Sequence, residues 1–214
     1  MNPAAPHAAA AIHIVDDEDA VRDALDFLFF SHGLATRCFA SGPALLDELD
    51  RLDRAGRPAR GCILLDVRME PMSGLQVHDA LVARGNSLPV LFLSGHGDIP
   101  MVVEALKKGA FDFLEKPFGD ASLVQRVQHA LDLDSARQQS GAREAERQAR
   151  LRSLSERERE VMLRVAAGKL NKVIADELCI SVRTVEVHRA RGFAKLGVRS
   201  AAEVATLLAE SSRG

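Results

Sequence analysis

The chain has 214 residues, room for one large or two modest domains. It is 47% hydrophobic and 27% charged with a mean hydropathy of -0.04, which excludes a disordered or fibrous chain, and no apolar run approaches the ~18 residues of a spanning helix. The net charge of -2 conceals a split: residues 1–136 hold 12 Lys and Arg against 20 Asp and Glu, whereas residues 137–214 hold 16 against 10, so the two halves suit different partners.

In chain order, residues 1–11 are Ala-rich without a basic leader, and read as a frayed tail, not a secretory signal. The β-branched run Ile12–Val15 ends abruptly in Asp16-Asp17-Glu18-Asp19, and a helix over Val21–Phe30 stops at Gly33. Thr36–Phe39 reads as a strand, Pro43–Leu52 as a helix opened by proline, and Cys62–Leu65 as a strand ending at Asp66. Then follow a helix over Gly74–Arg84, strand Val90–Leu93, helix Ile99–Lys108, strand Phe111–Leu114 and helix Asp120–Leu131. Five such β-α units predict an α/β fold, a doubly wound five-stranded parallel sheet over residues 12–132, and its continuous apolar strands fit a sheet covered on both faces. Residues 133–150 carry mixed charge without an apolar stripe and read as a linker, partly helical. Residues 151–214 are all-α: Ser155-Glu156-Arg157-Glu158 is a capping box, Asn171–Leu178 a short helix, Cys179-Ile180 a tight turn, and Ser181 caps a helix ending at Leu196-Gly197. Ser200–Glu203 opens the last of four helices. Two of them separated by so short a turn suggest a helix-turn-helix. Cys38, Cys62 and Cys179 have unrelated spacings, which points to a reducing, cytoplasmic setting and no disulfide frame.

Asp16, Asp17 and Asp66 fall at strand ends that converge on the crevice of an open α/β sheet. Crowded carboxylates resist ionisation unless a cation neutralises them, and Mg²⁺ is the economical one. The fourth strand ends in Ser94 and the fifth is followed by Lys116-Pro117, so a hydroxyl donor and an ammonium join the acids. Taken singly these are ordinary turn and loop residues; together they are equipped to hold a phosphoryl group on one carboxylate.

Ile14-Val15-Asp16-Asp17-Glu18, Leu64 to Met69, Met72-Ser73-Gly74, Leu93-Ser94-Gly95-His96-Gly97-Asp98 and Glu115-Lys116-Pro117-Phe118 resemble the motifs of a response-regulator receiver domain, flavodoxin-like in fold. The resemblance implies that Asp66 accepts phosphate from a histidine kinase. It implies too that Asp16, Asp17, Asp66 and the backbone carbonyl of Arg68 hold Mg²⁺, and that Ser94 and Phe113 are the switch residues with Lys116 the phosphate-binding lysine. A cis Lys116–Pro117 bond belongs to the same pattern. One departure is Glu70, which stands where relatives carry proline and is expected to alter phosphorylation kinetics.

In the basic half, helical periodicity places Val182, Val185, Phe193 and Leu196 on a packed stripe, with Arg183, Glu186, Arg189 and Ala190 opposite, as a helix entering a major groove requires. Leu154–Glu158, Gly168-Lys169, Asn171-Lys172, Ile174-Ala175, Ile180-Ser181, Thr184 to Arg189 and Lys195 to Val198 resemble the LuxR-type helix-turn-helix, and its pairing with this receiver is similar to FixJ-like regulators and to relatives governing styrene or toluene catabolism. By that resemblance Glu186, Val187 and Ala190 approach bases, while Asn171, Lys172, Arg183, Thr184, Arg189 and Lys195 approach the backbone of double-stranded DNA. The implied partners are a histidine kinase, DNA, a second copy of the chain in a phosphorylation-dependent homodimer, and RNA polymerase, without a membrane. The sequence therefore reads as a phosphorylation-switched transcription regulator with at most slow self-dephosphorylation. The alternative is a Mg²⁺-dependent phosphohydrolase with an accessory helical module, but such an enzyme needs an acid or base two residues after its nucleophile, where this chain has Arg68. A phosphate-independent receiver is disfavoured by the intact Asp16, Asp17, Asp66 and Lys116.

Overall fold

The computed structural model describes residues 10–95 and 99–211. Residues 1–9 of the expected tail, and His96, Gly97 and Asp98 of the quoted motif, lie outside the described residues. The chain divides into two compact units between Gln138 and Gln139.

In the first unit, β1 (Ala11–Val15), β2 (Thr36–Phe39), β3 (Gly61–Asp66), β4 (Val90–Ser94) and β5 (Asp112–Glu115) form one parallel sheet in the order β2-β1-β3-β4-β5. Between them run α1 (Asp19–Ser31), α2 (Gly42–Arg54), α3 (Gly74–Ala83) and α4 (Ile99–Lys107), and α5 begins at Asp120. Side chains alternate across a strand, so each central strand feeds two cores. Ile63, Leu65, Val90 and Phe92 pack with Leu45, Leu49, Val77, Leu81 and Ala105 of α2, α3 and α4. Ile12, Ile14, Leu64, Leu91 and Leu93 pack on the other face with Leu25 and Phe29 of α1 and Leu123, Val127 and Ala130 of α5. Each fully buried Leu, Ile or Phe contributes about 1.5–3 kcal/mol through lost apolar exposure, and this double layer holds the strand ends in fixed register. The order reverses between β1 and β3, which opens the crevice where Asp16 and Asp66 stand.

The second unit holds α6 (Glu156–Ala166), α7 (Asn171–Leu178), α8 (Val182–Leu196) and α9 (Ala201–Ser211) around Val161, Met162, Val165, Ile174, Val185, Leu196 and Val204. Ser155 caps α6 in a reciprocal box with Glu158, and Ser181 caps α8 by accepting from the Thr184 amide at 3.0 Å. Cys179 takes the left-handed conformation (φ 54°) at the end of α7, and Gly197 does so (φ 68°) at the end of α8. The principal departure from the sequence reading is α5, which runs unbroken from Asp120 to Arg152 instead of stopping near Leu131. Over residues 139–152 it lacks an apolar stripe and is supported by side-chain pairs one turn apart: Arg147 with Glu144, Gln148 with Glu144 at 2.9 Å, and Arg150 with Glu146 at 2.6 Å. Ala11, expected in the tail, is the first residue of β1.

Candidate functional site

At the carboxyl edge of the sheet, Asp66 is the last residue of β3 and Asp16 follows β1; they are 8% and 1% exposed. Backbone amides fix both rotamers: Glu18 N–H donates to Asp16 Oδ1 at 2.9 Å and Arg68 N–H to Asp66 Oδ2 at 2.7 Å. Lys116 N–H donates to the Ser94 carbonyl at 2.8 Å, extending the β4–β5 ladder by one residue and bringing the lysine side chain to the crevice. Its Nζ lies 2.6 Å from Asp66 Oδ1 and 3.2 Å from Asp16 Oδ2, bridging acids that are 50 residues apart in sequence. The Lys116–Pro117 peptide is cis, as expected, and so is Glu70–Pro71.

Burial pushes the Asp66 carboxyl up, against the pull of the Lys116 hydrogen bond and charge. Burial acts to lower Lys116, but Asp66 and Asp16 more than offset it and hold the ammonium above its ordinary value. The three-acid cluster expected from the sequence is realised as two buried acids with an ammonium between them. Asp17 is exposed and lines an adjoining cavity of about 440 Å³ with Arg68, Met69, Glu70, Ser73 and Met101. Among the described residues no three His, Cys, Asp or Glu side chains close into a metal cage. The donor set still fits a hard divalent ion: the Asp16 and Asp66 carboxylates outnumber the Lys116 ammonium that bridges them, Asp17 lies in the adjoining cavity, and Mg²⁺ needs few protein ligands because it keeps its waters. Arg22 donates to the Asp16 backbone carbonyl at 2.6 Å and is paired with Asp19.

Ser94 is fully buried and donates to the Leu114 carbonyl at 3.3 Å. Phe113 is half-buried opposite Phe92, against the α3–α4 side of the core. Gly74, placed by the sequence at the start of a helix and within a motif, has a role here that sequence reasoning missed. A Cβ there would stand 2.0 Å from the Asp66 carbonyl oxygen, so glycine lets α3 begin directly against the end of β3. The box in which Ser73 and Gln76 cap α3 holds that start in place.

In the second unit, Cys179-Ile180-Ser181 joins α7 to α8. Arg183, Glu186, Val187 and Ala190 are exposed along one side of α8, Val187 by 42%. Lys172 is exposed at the start of α7, and Thr184 Oγ1 is tied to Ser181 Oγ at 2.8 Å. The packed stripe comprises Val185, Gly192 and Leu196 with Phe193 partly buried; Val182, expected within it, is 40% exposed because it occupies the first turn beyond the reach of the core. Arg189 Nη1 donates to Asn171 Oδ1 at 2.8 Å, and the guanidinium carbon lies 5.2 Å from the Phe193 ring centre. Lys195, expected as a surface phosphate contact, is drawn into an internal ion pair. Its Nζ is 2.6 Å from the buried Glu158 and 3.0 Å from the Ser153 carbonyl. That pairing and the Ser155 amide hold the Glu158 carboxyl down at about 2.

Residues 12–128 match the family described as response regulator receiver domain, and residues 152–208 match that described as bacterial regulatory proteins, luxR family. The chain belongs to the response regulators. Among relatives of this response regulator, the C4-dicarboxylate transport transcriptional regulatory protein DctR of Rhodobacter capsulatus is 50% identical, covering 92% of this chain and 98% of that protein. The transcriptional regulatory protein FixJ of Azorhizobium caulinodans is 44% identical, covering 90% and 89%. Among solved structures, the response regulator StyR superimposes with a TM-score of 0.84 at 35% identity over 94% of this chain and 98% of that one. The chain is thus a two-component transcription regulator with a receiver domain and a LuxR-type DNA-binding domain, and the phosphohydrolase alternative is set aside. No helix among the described residues is long and apolar enough to cross a membrane.

Proposed function

We propose that Asp66 is the phosphoacceptor of this regulator and that a histidine kinase is its donor. The observation that carries this reading is the Lys116 ammonium between Asp66 and Asp16, a cation at the place where phosphoryl charge must be neutralised. An Asp66 carboxylate oxygen attacks phosphorus, its bond to the donor breaks, and an acyl phosphate results. Asp16, Asp17, Asp66 and the Arg68 carbonyl would hold Mg²⁺, which when bound neutralises the phosphoryl oxygens. Lys116 then exchanges its Asp66 contact for a phosphoryl oxygen, and the Arg68 amide holds the other Asp66 oxygen in its rotamer. Water completes a slow self-dephosphorylation at most, because Arg68 supplies no general base. The kinase must bring its phosphoryl group to this edge, and the apolar groove lined by Ala24, Phe27, Leu28 and Phe118, which also reaches Lys116, offers it a surface.

Ser94 turns from the Leu114 carbonyl toward the phosphoryl group, and the space it leaves admits Phe113. The face built from α4, β5 and α5 changes shape, and two copies pair through it, a population shift between two states. Two basic domains then grip double-stranded DNA, with Glu186, Val187 and Ala190 toward bases. Asn171, Lys172, Arg183, Thr184 and Arg189 lie toward phosphates, and Lys195 reaches one only by leaving Glu158. RNA polymerase is the downstream partner and the cytoplasm the setting. The receiver spans 12–132 and the DNA-binding domain 151–214, with the intervening stretch a helical connector.

Incubation with acetyl phosphate and Mg²⁺, followed by intact mass and DNA retention, tests the assignment. Wild type gains one phosphate and retains more DNA; Asp66→Asn gains none. Labelling of both proteins would overturn it.

A further inference from the structure

Phe193 is half-buried against the core of its unit, which would ordinarily make it a core residue. Its other contact is with a charge. The Arg189 guanidinium, one turn earlier on α8, sits 5.2 Å from the ring centre, inside the ~6 Å within which an aromatic face attracts a cation. The same guanidinium donates at 2.8 Å to Asn171, the first residue of α7, so one arginine is braced from below by its own helix and from the side by the neighbouring one. A guanidinium has five N–H donors, and these contacts leave others for a phosphate. The bond also uses Asn171 Oδ1 and leaves the amide N–H groups as the donors to DNA. An unbraced arginine would lose several rotamers on meeting a phosphate; here that ordering precedes binding.

We propose that Phe193 is a positioning residue for DNA binding, its ring and the Asn171 amide holding Arg189 in the conformation that receives a backbone phosphate. The inference rests on the reading of Arg189 as a phosphate contact. It is tested on the full-length chain by fluorescence anisotropy with a random-sequence duplex of about 30 base pairs, over a range of KCl concentrations, for Phe193→Leu, Arg189→Gln, the double variant and Phe193→Tyr. Arg189→Gln is expected to weaken binding and lower the salt slope by about 0.9, one phosphate. Phe193→Leu is expected to weaken binding about two- to fivefold when Arg189 is present and to add nothing when it is absent, while Phe193→Tyr, which keeps the ring, binds as wild type. A core role alone would give the same loss in both backgrounds, and that result, or no loss at all, overturns the proposal. Unchanged affinity and slope for Arg189→Gln would instead overturn the phosphate reading on which it stands. Should Phe193→Leu lose helical circular dichroism, Phe193→Met, closer in volume, replaces it in the same cycle.

Discussion

Glu70 lines the cavity that holds Asp17 and Arg68, and it is exposed. A carboxylate at the entrance to a site for anions repels the donor as it approaches; in water such a pair is worth about 1 kcal/mol at 4 Å and less at longer range. Glu70→Gln is therefore expected to speed phosphorylation of Asp66 by acetyl phosphate about two- to fivefold at low ionic strength, with the gain fading as KCl shortens the Debye length. Time-resolved intact mass reads it, and equal rates for both proteins at low salt would refute it. Glu70 was visible in the sequence as a departure within a motif. So were Asp16, Asp66, Ser94 and Lys116, because the end of an apolar run marks the end of a strand and a parallel sheet sends all such ends to one edge. The reason for a glycine at residue 74 and the partner of Lys195 were not visible. What a Cβ at residue 74 would meet is a carbonyl eight residues earlier across a loop, and Glu158 shows its capping role locally but not an ammonium 37 residues away.

At the scale of elements, the boundaries of α7 and α8 were legible to the residue, since Ser181, the Cys179 turn and Gly197 are local signals acting on one or two backbone groups. The length of α5 was not, because its second half buries no continuous stripe and holds its form through pairs of Glu and Arg, which look the same in a solvated linker. Gly141 lies within that stretch, and a Cβ there would meet nothing within 4 Å. Replacing it with alanine removes only the entropy cost of glycine, about 0.8–1.0 kcal/mol in an exposed helix. Gly141→Ala is expected to slow hydrogen exchange of neighbouring α5 amides about fourfold, and unaltered exchange would mean that the unbroken helix is not the form held in solution.

On the scale of the molecule, the hydrophobic clusters divide between the units: two lie within residues 12–131 and one within 151–208. Separate cores predict two calorimetric transitions, and Glu158 offers a way to move one of them. Its folded carboxyl, held at about 2 by Lys195 and the Ser155 amide, lies below the ordinary 4.5, so the folded unit binds fewer protons than the unfolded chain in that interval. The stabilisation is accordingly complete above about pH 4.5 and is lost as the pH falls toward 2. Glu158→Gln keeps an acceptor for the Ser155 amide but leaves Lys195 without its counter-charge, a loss on the order of 1–2 kcal/mol at pH 7, or some 4–15 °C in the midpoint of a unit this size. The expected outcome is that the variant lowers the transition of residues 139–214 and leaves that of residues 1–138 in place. Variant and wild-type midpoints should converge as the pH is taken from 5 to 2.5, because protonation does to the wild type what the substitution has already done. A constant offset across that range would show that Glu158 acts through packing rather than charge, and a parallel fall of both transitions would show that the two cores unfold as one.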